Sequence, residues 1–208
     1  LEITNLYLES LKNTNALQNI SLAGYSAILN EEAGSKQLRP SLYDLLAHNT
    51  LDYFTNDQAN ITKAADQFEL NQPEAFAEAA NFSGFAFANT DTLSTKYYAL
   101  QIFQALTRFH LNDKDIAPLL DLELNRLNFA YNNSTLPGKA ELRLEAHEKL
   151  QKIYSTHPES ALISYEIAKY WQQQGNKYNA ETAPSYQKDL VKAVDICNKA
   201  IEKFPDSR

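Results

Sequence analysis

Apolar residues recur along most of this chain at intervals of three and four, the spacing that gives an α-helix one buried face. The clearest run follows Ser41. Leu42, Leu45, Leu46, Tyr53 and Phe54 fall on one side, and Ser41 with Asp44 resembles a capping box in which Asp replaces the usual Glu. Between 93 and 111 the pattern changes, because Tyr97, Leu100, Ile102, Phe103, Leu106 and Phe109 surround most of the circumference. A helix that is apolar on nearly every side belongs at the centre of a packed domain. Prolines punctuate these segments without interrupting them: Pro73, Pro118, Pro137 and Pro184 fall in first turns, and Pro40, Pro158 and Pro205 just outside helix ends. The pattern predicts helices near 1–13, 16–31, 41–57, 73–80, 93–111, 115–131, 137–156, 160–174 and 184–204, and an all-α fold. It groups them as a helical array over 1–131, with 93–111 as its central helix, and a set of helix pairs over 137–208, together one continuous domain.

The linker from Asn81 to Thr92 conflicts with a solvated loop. Phe82, Phe85 and Phe87 would each forgo about 1.5–3 kcal/mol of burial if left in water. Two readings are open: the rings plug the groove between helix pairs, or they form a docking strand or patch for a partner.

The C-terminal half carries a repeated spacing. Ala146, Leu150, Ile153 and Pro158 stand at the same relative positions as Ala193, Cys197, Ala200 and Pro205. Between them Ile167, Ala168, Trp171 and Gly175 follow from a start near Ala161. This resembles the tetratricopeptide repeat, in which a small residue lets two helices approach, an apolar pair fills the seam and proline ends the unit. The resemblance implies a right-handed array of antiparallel helix pairs, tetratricopeptide-like in the C-terminal half. It also nominates a ligand-facing surface on the first helix of the unit: Leu162, Tyr165, Glu166, Lys169, Gln172 and Gln173. A solvated helix face is the alternative for those six. The connection from Gly175 to Thr182 lengthens the last unit and is read either as a projecting functional insertion or as an elongated turn.

Composition narrows the function. The 208 residues carry a net charge of −7 with lysine and arginine scattered, so neither a nucleic-acid duplex nor an anionic membrane has a basic landing patch. No stretch is long and apolar enough to span a bilayer, and the first residues lack the regions of a signal peptide. The chain begins at Leu1 and contains no methionine, which suggests either a segment excised from a larger protein or a sequence from which methionines have been lost. Its single cysteine, Cys197, excludes an internal disulfide and is expected to be a buried structural thiol.

The run Leu38 to Phe54 (LRPSLYDLLAHNTLDYF), the block Leu100 to Leu106 with Phe109-His110, the block Asp121 to Leu127 and the stretch Ala193 to Ser207 resemble the helical N-terminal region of bacterial alpha-2-macroglobulin-like cell-envelope proteins, which precedes a macroglobulin MG2 domain. The resemblance implies an extracytoplasmic location in the periplasm or envelope, no membrane insertion by this segment, and adjoining macroglobulin domains of the same parent, or another protein, as partners. Some members trap proteases through a Cys-x-x-Gln thioester. Cys197 is followed by Asn198, Lys199 and Ala200, so that chemistry has no residues here.

Other chemistry is equally sparse. No histidine pair has metal-ligand spacing, no glycine-rich phosphate loop or G-x-S-x-G elbow occurs, and His48 and His110 read as hydrogen-bonded or charge-capping groups. The sequence therefore predicts a non-catalytic scaffold or protein-interaction region with no cofactor and no metal. The alternative is a glycan-binding helical protein of the SusD type, in which tyrosines and Trp171 would stack on sugars.

Overall fold

The computed structural model describes residues 2–25, 27–29, 35–56, 68–91 and 93–207. The described chain is all-helical, with isolated β-bridges and no strand among the described residues. It divides into two compact units: Leu1–Ala75 with Ala79–Thr135, and Phe76–Glu78 with Leu136–Arg208.

Unit 1 contains α1 (Glu2–Ser10), α2 (Thr14–Gln18), α3 (Ser35–Leu38), α4 (Leu42–Thr55), α5 (Ala79–Gly84), α6 (Thr95–His110) and α7 (Ala117–Asn133). Helix α6 packs against α4, α5 and α7, and it buries Ala99, Leu100, Ile102, Phe103, Leu106 and His110, so no broad face remains for water. Ser94 caps its start by accepting from the Tyr97 amide at 3.2 Å. The Ser41–Asp44 capping box forms on α4: Asp44 N–H donates to Ser41 Oγ at 3.2 Å and Ser41 N–H to Asp44 Oδ2 at 2.9 Å. Ala47, Leu51 and Phe54 on α4, with Leu120, Leu122 and Leu127 on α7, complete the core.

Two expected helices differ. Within 16–31 the chain forms α2 and then a 3-10 turn at Leu22–Tyr25; positions 26, 30 and 31 lie outside the described residues. A helix through Ser21 is lost because its neighbours pair with a distant segment: Leu22 N–H donates to Pro40 O at 3.0 Å and Leu42 N–H to Ile20 O at 2.8 Å, a bridge that local propensity cannot register. Within 73–80 the chain makes a 3-10 turn at Pro73–Phe76 and restarts as α5, because the Ala75 carbonyl accepts from the Arg126 guanidinium instead of from the next helical turn.

Unit 2 contains α8 (Lys139–Ile153), α9 (Ser160–Gly175) and α10 (Asp189–Lys203), with α9 packed against both neighbours. Its core is Ala146, Leu150, Ile163, Ile167, Ala168, Tyr170 and Ala193. Gly138 starts α8 from a left-handed conformation (φ 72°), which costs glycine nothing. The connection after Gly175 is a closed turn, in which Asn179 Oδ1 accepts from the amides of Glu181 (2.9 Å) and Thr182 (3.0 Å) before Pro184–Lys188 leads into α10 as a 3-10 turn. Cys197 is half-buried on α10 rather than enclosed.

Candidate functional site

The six residues nominated on the first helix of the repeat all lie on α9. Tyr165 is 56% exposed, Gln172 and Gln173 are exposed, and Leu162, Glu166 and Lys169 are half-buried. Helical spacing puts them on one side, opposite the buried Ile163, Ile167 and Tyr170. The face is partly ordered by its own contacts: Lys169 Nζ donates to both Glu166 carboxylate oxygens at 2.9 and 3.1 Å and stands 5.4 Å from the Tyr165 ring centroid. What this face offers is an aromatic ring, a lysine–glutamate pair and two carboxamides, a mixed surface suited to a polypeptide.

The three phenylalanines of the 81–92 segment sit elsewhere, in unit 1. Asn81 to Gly84 is helical, as the last turn of α5. Phe82 is completely buried and Phe87 nearly so, with ring centroids 6.0 Å apart, and the half-buried Phe85 meets Phe87 edge-on at 4.7 Å. Gln104 Nε2 holds this segment against α6 by donating to Phe82 O (2.8 Å) and Phe85 O (2.7 Å). The Arg126 guanidinium lies 4.3 Å over the Phe82 ring and pairs with Glu123 at 2.7 Å (Nε to Oε1). The rings thus fill unit 1.

Trp171, the aromatic a glycan would be expected to stack on, is half-buried, and Lys192 Nζ covers its ring 3.1 Å from the centroid.

Sequence reading did not reveal a buried charge cluster in unit 1. His110, the last residue of α6, places Nε2 2.8 Å from Asp44 Oδ1 and Nδ1 2.7 Å from Asp113 Oδ2. Ser41 Oγ donates to the other Asp44 oxygen at 2.7 Å. Two helix termini make this arrangement favourable: a carboxylate in the first turn of α4 and an imidazolium in the last turn of α6 each oppose the local helix dipole. Burial pushes the His110 pKa down, but hydrogen bonds and charge from Asp44 and Asp113 outweigh it and raise the value above its ordinary one. Burial likewise favours protonated Asp44, yet His110 and Ser41 lower its pKa overall. Both ring nitrogens are committed to carboxylates, and Asp44 stands between hydroxyl and imidazole. The cluster therefore holds a proton in place and leaves no nucleophile activated by a base. His110-x-x-Asp113 was the one local signal available for it.

His48 behaves in the opposite way. Arg39 Nη2 lies 3.3 Å from its Nδ1, and burial, reinforced by the Arg39 charge, lowers its pKa to about 3. It is a neutral imidazole beside a guanidinium. Among the described residues no group of three or more His, Cys, Asp or Glu is placed to hold a metal ion, and no helix is long and apolar enough to cross a membrane. No family model, no curated protein and no solved structure matches the chain.

Proposed function

We propose that this chain is a non-catalytic helical scaffold whose unit 2 is a tetratricopeptide-like set of helix pairs presenting the α9 face to a polypeptide partner. The observation that carries this reading is the α9 face itself, where Tyr165 stays 56% exposed beside a lysine–glutamate pair while the opposite side of the helix is packed. The repeat-like pairing is supported by buried alanines at the small positions, Ala146, Ala168 and Ala193, and by the close approach of Leu190 to Gly175. The seam departs from the pattern at Ile153, which is 56% exposed, and at Cys197 and Ala200, which are half-buried.

The biological setting we propose follows from the sequence blocks at Leu38 to Phe54, Leu100 to Leu106, Asp121 to Leu127 and Ala193 to Ser207. They resemble the N-terminal region of alpha-2-macroglobulin-like envelope proteins, which makes the periplasm or cell envelope the location and an adjoining macroglobulin domain of the same parent the first partner to test. Links to protease inhibition or envelope defence would then belong to the parent.

Tyr165→Ala with Lys169→Ala is expected to weaken binding to that macroglobulin domain at least about tenfold in isothermal titration, since it removes an aromatic anchor together with its charged neighbour. Unchanged affinity would rule out the α9 face as the contact. Fractionation with an antibody to this chain tests the setting separately: a very large envelope-associated species is expected, and a cytosolic species of about this chain's 23.5 kDa would overturn it.

A further inference from the structure

Unit 1 holds a polar hollow of about 330 Å³ that the scaffold reading does not use. One wall is α7, which turns Asn125, Asn128 and Asn132 toward it along a single helical face. Asparagine is a weaker helix former than the alanine, leucine or lysine that an exposed face would otherwise favour, so helix stability does not account for that run. Asn128 and Asn132 are exposed, and their carboxamides each supply a donor and an acceptor. His48, Asp52 and Arg39 also line it. With Nδ1 accepting from Arg39 Nη2 at 3.3 Å, the neutral His48 ring carries its proton on Nε2 as a further donor. Phe103 and Phe129, both buried, supply an apolar floor.

The balance of charge narrows the ligand. Arg39 stands 3.7 Å from Asp121 of α7, which lies outside the hollow, and shares the hollow with the Asp52 carboxylate. An anion would meet the Asp52 carboxylate and a cation the Arg39 guanidinium, whereas a neutral molecule rich in hydroxyls meets donors and acceptors in turn. The volume is at the low end of small-ligand sites, about 300–1,000 Å³, too tight for a folded peptide segment and adequate for a sugar ring on an apolar floor.

We propose that this hollow binds the ring of a neutral sugar, with Asn128, Asn132 and His48 hydrogen-bonding its hydroxyls and Phe129 supplying apolar contact. This site is in unit 1 and stands or falls independently of the α9 face.

Saturation-transfer NMR on the full 208-residue chain tests it, using D-glucose, D-galactose, D-mannose and N-acetylglucosamine, their β-linked disaccharides, and charged D-glucuronate and D-glucosamine. We expect transfer to at least one neutral sugar. Preference for the disaccharide would identify a glycan end as the source, and preference for the monosaccharide a free sugar. Asn128→Leu with Asn132→Leu should weaken that binding at least about tenfold, as loss of two paired hydrogen-bonding groups implies. Because both positions are exposed, circular dichroism should show the fold retained; Asn128→Asp, which keeps the shape and adds a charge, should also weaken binding. Absence of transfer from every neutral sugar, tighter binding of glucuronate or glucosamine than of any neutral probe, or transfer unaltered by both variants would each overturn the proposal.

Discussion

At the residue scale, unit 1 assigns opposite protonation to two histidines. His110 sits between two carboxylates with a raised pKa, whereas His48, partly buried beside Arg39, has its value lowered to about 3. Their contributions to stability run in opposite directions with pH. A histidine whose folded pKa lies above its ordinary 6.5 contributes fully below that value, and the contribution drains away as pH rises through the folded pKa. For His48 the contribution is full above 6.5 and is lost as pH falls from 6.5 toward about 3, because the unfolded ring takes a proton that the folded one refuses. Asp44 adds a second acid-side loss as pH falls through its lowered value, below the ordinary 3.8. Nitrogen-15 NMR of the imidazoles at pH 6 should show His110 protonated on both nitrogens and His48 on Nε2 alone; a neutral His110 there would contradict the ion-paired assignment. Asp44→Asn should cost about 3 kcal/mol in urea unfolding, since it leaves a buried imidazolium facing an amide, and it should flatten the decline of stability on the alkaline side.

At the element scale, the α9–α10 pairing depends on one missing side chain. A Cβ built on Gly175 would stand 2.6 Å from Leu190 Cγ and 2.7 Å from Leu190 N. Gly175→Ala should therefore destabilise unit 2 by about 1–3 kcal/mol, the usual cost of overpacking a closed seam, despite alanine's better helix propensity. Adding Leu190→Ala removes the side-chain clash and leaves the backbone one, so the double variant should recover little; a full rescue in thermal denaturation would show that side chains alone set the helix separation. Gly175 was readable from the sequence as a repeat position, and α6 and the Ser41 cap were readable because their signals are local: apolar residues all around one helix, and a hydroxyl three residues from a carboxylate. What escaped was fixed by distant partners. The helix expected over 16–31 gives way to backbone bonds with Pro40 and Leu42, and that over 73–80 to a carbonyl taken by Arg126. Asp44 and His110 are 66 positions apart, and the asparagines of α7 become part of a hollow only when His48 and Arg39 are brought to line it with them.

At the scale of the whole molecule, the division into two units means that one chain carries two separate cores. Phe54, Leu100, Leu106 and Leu127 build the first, and Leu150, Ile163, Ile167 and Ala193 the second. The proposed functions fall on either side of that division, with the sugar hollow in unit 1 and the polypeptide face in unit 2. Each core should therefore register first the damage done within it, because opening free energies follow the local density of buried contacts. Hydrogen exchange followed by mass spectrometry checks this with the two substitutions already named. Asp44→Asn should raise exchange most in α4, which its partner Ser41 caps, and in α6, which ends at His110, and Gly175→Ala most in α9 and α10. If each substitution instead raised exchange equally in both sets of helices, the chain would be opening as one cooperative body. The hollow and the α9 face would then be thermodynamically linked, and a ligand in one would stabilise the other.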